Sequence, residues 1–97
     1  SARRLAEKPR RRPADVELSA EDEKLLADLY ALRKRLASKQ KIPAYLVFSD
    51  ATLREMVQKK PFSTDELLNI TGVGEKKAAR YGTTFLRIIE DAVENRE

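Results

Sequence analysis

From residue 19 onward, leucines recur at helical intervals: Leu25, Leu29, Leu32 and Leu36 fall four, three and four residues apart, with charged positions between them. That spacing lays apolar side chains along one stripe of a 3.6-residue repeat. Ser19-Ala20-Glu21-Asp22 places a capping hydroxyl and first-turn acids ahead of the stripe, predicting a helix over about residues 20–39, some 30 Å long. Ile42-Pro43 closes it, since a residue before proline avoids the α region. The run Ile42-Pro43-Ala44-Tyr45-Leu46-Val47-Phe48 is apolar enough for a strand, but Pro43 and the lack of a matching run leave it no pairing partner. A turn of helix or an extended connector is expected, with Leu46, Val47 and Phe48 turned to the core. Two further helix starts use serine: Ser49, with Leu53 packing back on Phe48, and Ser63, with Glu66 completing a capping box and Leu67 stapled onto Phe62. Lys59-Lys60-Pro61 separates the two. After Thr71-Gly72-Val73-Gly74, the positions Tyr81, Phe85, Ile88, Ile89, Ala92 and Val93 mark a last long helix. Gly82 within it costs about 1 kcal/mol against alanine, which points to close helix packing there. The pattern as a whole predicts an all-α fold, a compact bundle of four to five short helices over residues 19–97, with no internal repeat.

Residues 1–18 break this texture with a basic run and two prolines, Pro9 and Pro13, and read as a disordered basic linker or arm. The net charge of +4 resides there: residues 1–13 hold six basic side chains and one acid, and the rest of the chain fourteen basic and fifteen acidic. The body is therefore near neutral, so a polyanion site on it must be a local patch. The arm's arginines have three readings: phosphate contacts, an import signal, or plain linker.

Composition removes several classes of function. With no cysteine and no histidine the chain lacks thiol nucleophiles, disulfides, most zinc sites and the usual general base. Asp50, Glu55, Asp65 and Glu66 fall mainly at capping and first-turn positions, and they do not converge as metal-dependent hydrolysis requires. No cofactor, no metal and no catalytic residue are expected. No apolar stretch reaches the roughly 18 residues of a membrane span, so a soluble protein without a membrane partner is expected.

Three features carry chemistry. The turn Gly72-Val73-Gly74 opens directly into a helix, and its free N–H groups with Lys76 and Arg80, four residues apart, form a phosphate cradle. The turn resembles the hairpin of helix-hairpin-helix modules, although Glu75 at its mouth opposes an anion, and a plain interhelical turn explains the glycines equally well. Tyr45, just after a proline, either stacks on a base from outside or packs within, while Tyr30 and Tyr81 are assigned to packing. Arg33, Lys34, Arg35, Lys39 and Lys41 form a basic run at the end of the first helix, which the helix dipole alone also favours. These residues cannot all face one ligand, and Lys39 and Lys41 are nearest to Tyr45 in sequence.

The stretch Ile42-Pro43-Ala44-Tyr45-Leu46-Val47-Phe48-Ser49-Asp50-Ala51-Thr52-Leu53, followed by Asn69-Ile70-Thr71-Gly72-Val73-Gly74 with Lys76-Lys77 and Tyr81-Gly82, resembles the HRDC (helicase and RNase D C-terminal) domain in order and spacing. The likeness spans roughly residues 20–94. It implies a five-helix bundle from the C-terminal part of a RecQ-type DNA helicase or a ribonuclease D, with no activity of its own. It further implies weak, sequence-independent binding of single-stranded or branched DNA by a monomer, tuning which structures the helicase engages in repair and recombination. The positions matching the family's contact surface are Tyr45; Lys34, Lys39 and Lys41; and Gly72, Gly74, Lys76, Lys77 and Arg80. Two other roles fit the same family: docking on the parent helicase core or a repair protein, and RNA binding beside a ribonuclease D-like enzyme. The location implied is the bacterial cytoplasm and nucleoid, or the nucleus of a eukaryote.

Overall fold

The computed structural model describes residues 17–95, so the arm expected over residues 1–18 lies outside them as far as residue 16. Leu18 is half-buried against the core. Four α-helices follow: α1 (Ala20–Gln40), α2 (Asp50–Lys59), α3 (Thr64–Leu67) and α4 (Glu75–Glu94), with a 3-10 turn over Ala44–Leu46 between α1 and α2. Counting that turn, five helical segments build the fold, and α1 packs against α2 on one side and α4 on the other.

Each start and stop has a local cause. Ser19, Ser49 and Ser63 accept hydrogen bonds from the N–H groups of Asp22, Thr52 and Glu66, each 3.1 Å long, satisfying donors that a helix start leaves open. At the end of α1 the Ile42 N–H reaches the Ala37 carbonyl and the Lys41 N–H the Ser38 carbonyl, while Lys41 takes a left-handed φ of 60°. This is a Schellman ending, with Ala37 in the core and Ile42 packed against that core.

The core runs between the helices, with Leu25, Leu29, Val47, Phe48, Leu53, Met56, Val57, Leu67, Phe85 and Ile89 fully or almost fully enclosed. Phe48 stands edge-on to Phe85, centroids 5.0 Å apart, and to Tyr81 at 5.8 Å. Gly82 explains itself here: a Cβ at that position would meet Leu67 Cδ2 at 3.1 Å, so glycine lets α3 approach α4.

Two core assignments are corrected. Leu46, expected inside with Val47 and Phe48, is 45% exposed. The 3-10 turn repeats every three residues, so Ala44 and Val47 face the body and leave Tyr45 and Leu46 outside. Phe62 is 57% exposed and does not cover Leu67 as a staple would. Buried Pro61 takes the inward position beside it, and the next side chain of an extended segment points the other way. The capping box is also shifted by one residue, with Glu66 Oε1 accepting from the Phe62 N–H at 2.7 Å.

Candidate functional site

The antiparallel packing of α1 and α4 brings the end of the first helix to the beginning of the last. The Tyr81 hydroxyl donates to Gln40 Oε1 at 3.1 Å across this junction. Gln40, Ile42 and Leu46 form one wall of an open groove of about 990 Å³, and Lys76, Lys77, Ala79, Arg80 and Tyr81 form the other. Its floor is apolar and its cations come from α4. Lys76 and Arg80 are exposed, and Lys77 is half-buried with its Nζ 5.9 Å from the centre of the Phe48 ring.

Tyr45 lies on the 3-10 turn immediately before groove residue Leu46 and is 66% exposed, the most exposed large apolar side chain of the described residues. Lys39 and Lys41 flank groove residue Gln40 and are both exposed. Lys34 is exposed too, but five residues before Lys39 it sits roughly 140° around the helix, so the two do not share a face. Tyr30 and Tyr81 do pack, the first half-buried beneath the Arg33 guanidinium at 5.1 Å and the second buried against Phe48.

The connector that presents Tyr45 is clamped from below. Arg33 Nη1 donates to the Phe48 carbonyl at 2.9 Å and pairs with Asp50 at 2.8 Å. Arg33 is thereby occupied by structure, whereas Lys39 and Lys41 make no ion pair among the described residues.

The glycine turn is held by α2. Thr52 Oγ1 donates to the Thr71 carbonyl at 2.8 Å and takes a further hydrogen bond from Ser49 Oγ at 3.0 Å. Glu55, expected near a helix start, is instead a buried residue of the second turn of α2. Burial alone would raise its pKa, but hydrogen bonds from Lys59 and from the backbone N–H and hydroxyl of Thr71 outweigh that and hold it below the ordinary carboxylate value. Gly72 has φ +91°, and a Cβ there would collide with Thr52 Oγ1, so this glycine serves the turn itself. Gly74 faces open space and caps α4 without any side-chain hydrogen bond, leaving the first N–H groups of α4 free of a capping side chain.

The molecule is thus a small helical domain with one basic, aromatic-bearing end. It belongs to the HRDC domain family, whose model matches residues 22–89. Over 70 residues it is 49% identical to the ATP-dependent DNA helicase RecQ of Bacillus subtilis (strain 168), covering 72% of this chain and 12% of that protein. It is 45% identical to RecQ of Pasteurella multocida over 78 residues, 80% of this chain and 12% of that one. It is also 37% identical to the DNA helicase UvrD2 of Mycobacterium tuberculosis over 68 residues, 70% and 10% of the two chains. A solved structure, the D. radiodurans RecQ HRDC domain 3, superposes with a TM-score of 0.71 at 30% identity, covering 74% of this chain and 95% of that one. The chain therefore spans about an eighth of the length of the RecQ relatives. No helix among the described residues is long and apolar enough to cross a membrane.

Proposed function

We propose that this domain is a non-catalytic binder of single-stranded or branched DNA, weak and indifferent to sequence, that serves a RecQ-type helicase motor. The observation that carries this reading is the shared groove, which sets Lys76, Lys77 and Arg80 opposite the end of α1 with Tyr45 exposed at its edge. Lysines and an arginine along a groove take phosphates, and an exposed ring takes any base by stacking.

The charge pattern of α4 adds support, because helix stability does not explain it. Acids in the first turn and a lysine in the last turn of α1 suit the helix dipole. In α4 the first turn carries Lys76 and Lys77 beside a single acid, Glu75, and the last two turns carry Glu90, Asp91 and Glu94 with no base in the final turn. The acidic last turns oppose the dipole, and the two lysines outweigh Glu75 in the first turn, so neither lysine is there to stabilise the helix end.

Fluorescence anisotropy with a labelled single strand at two salt concentrations tests the proposal. About four phosphate contacts give a log–log salt slope near 3 in magnitude. Tyr45→Ala weakens binding roughly 5- to 150-fold, the equivalent of stacking worth about 1–3 kcal/mol. Unchanged affinity in both Tyr45→Ala and Lys39→Ala/Lys41→Ala removes this site. Preferential binding of RNA would assign the domain to RNA processing, and negligible affinity for either polymer would leave the groove as a protein-docking face.

A further inference from the structure

The opposite end of the same helix pair holds a second groove. Its volume is about 480 Å³, and it is lined from α1 by Glu21, Lys24, Leu25, Asp28, Ala31 and Arg35 and from α4 by Ile88, Asp91, Ala92 and Asn95. The floor is apolar and the rim carries three carboxylates. Glu21, Asp28 and Asp91 form no ion pair among the described residues, and Lys24 and Arg35 only partly offset them. Around the groove the excess of acid grows: residues 20–28 and 87–94 hold seven acids, one of them (Asp22) paired with Lys60, and with Arg35 the bases number three, Lys24, Arg35 and Arg87.

The chain enters the fold at this end. Glu21 lines the groove two residues after the Ser19 cap, and the segment just upstream holds Arg10, Arg11 and Arg12 between Pro9 and Pro13. We propose that this arginine triplet docks in the acidic groove, its guanidinium groups on Asp28 and Asp91 and its flanking prolines over Ala31, Ile88 and Ala92. Length permits it: Ser19 lies seven positions beyond Arg12, a span of about 24 Å when extended, while the groove from Glu21 to Arg35 follows about 21 Å of helix. Composition suits it, because neither proline carries an N–H to satisfy and both disfavour helix. The guanidinium fork is also the cation best matched to a carboxylate rim. The basic segment would then be held at the end of the domain away from Tyr45, neutralised by the domain's own acids.

The chain has no cysteine, so a nitroxide on Ala6→Cys reports the segment's position without background in the full 97-residue chain. The expected result is loss of NMR signal from Ala31, Ile88 and Ala92, with Tyr45 and Lys76 unaffected. The loss fades as salt rises and disappears in Arg10→Glu/Arg11→Glu/Arg12→Glu, and adding Asp28→Arg/Asp91→Arg to that variant restores it. Undiminished Ala31, Ile88 and Ala92 signals would overturn the proposal. So would a loss that survives charge reversal, or one seen only between spin-labelled and isotope-labelled copies, which would make the occupant a second molecule.

Discussion

At Lys41 the backbone adopts φ 60° and ψ 44°, a conformation that costs a residue with a side chain about 1–2 kcal/mol and glycine far less. Glycine is the usual occupant of this position in a Schellman ending, yet the chain places an exposed lysine there, next to groove residues Gln40 and Ile42. The other left-handed lysine, Lys60, has a structural reason to be lysine: its Nζ donates to the Val57 carbonyl at 2.8 Å and pairs with Asp22 at 3.0 Å. Lys41 has no such partner among the described residues. Lys41→Gly is therefore expected to stabilise the domain by about 0.5–1 kcal/mol after allowing for the looser unfolded chain, a rise of a few degrees in melting temperature. The same variant should bind a single strand less tightly, with a salt slope shallower by about 0.7. A melting temperature that falls would mean the lysine serves the fold, and an unchanged salt slope would remove it from the interface.

At the level of elements, what the sequence made legible is what is local. Serine caps act over three residues, the leucine stripe of α1 repeats within one helix, and Gly82 stands out because it interrupts a helical pattern. Glu55 escaped because its main tertiary partner, Thr71, lies sixteen residues away in a turn that only folding brings to α2. Leu46 escaped because the turn of helix expected here is a 3-10 turn, whose three-residue repeat carries Ala44 and Val47 inward and leaves Leu46 outside. The grouping of Lys76 and Arg80 with the end of α1 was implied only by the family resemblance, because it follows from the antiparallel packing of α1 and α4 and from nothing local to either helix. The inverted charge of α4 yields a test at this scale. Lys76 is exposed and two residues into the helix, where an acid would favour the dipole by about 0.3–1 kcal/mol. Lys76→Glu should accordingly raise thermal stability while lowering single-strand affinity about fivefold or more near 0.1 M salt. Stability and binding moving in the same direction would show that Lys76 is a structural residue.

Across the whole molecule the near-neutral body conceals a charge separation. Residues 36–41 and 75–80, joined at one end by the helix packing, hold five bases and one acid, Glu75, whereas the far end is acidic. The two ends stand about the length of α1 apart, 21 residues or roughly 30 Å. At physiological ionic strength the Debye length is about 8 Å, so neither end feels the other, and a polyanion meeting the basic end experiences only local cations. At about 0.01 M salt the screening length grows to some 30 Å, and the acidic end begins to repel the same ligand. Glu23 and Glu90 are exposed at the acidic end and line neither groove. Glu23→Lys/Glu90→Lys should leave single-strand affinity within about twofold at 0.15 M salt and raise it several-fold at 0.01 M, because only in dilute salt does the field of these positions reach the basic end. Equal gains at both concentrations would mean that polynucleotide contacts the far end directly, and the bound strand would then have to wrap the domain instead of lying along one groove.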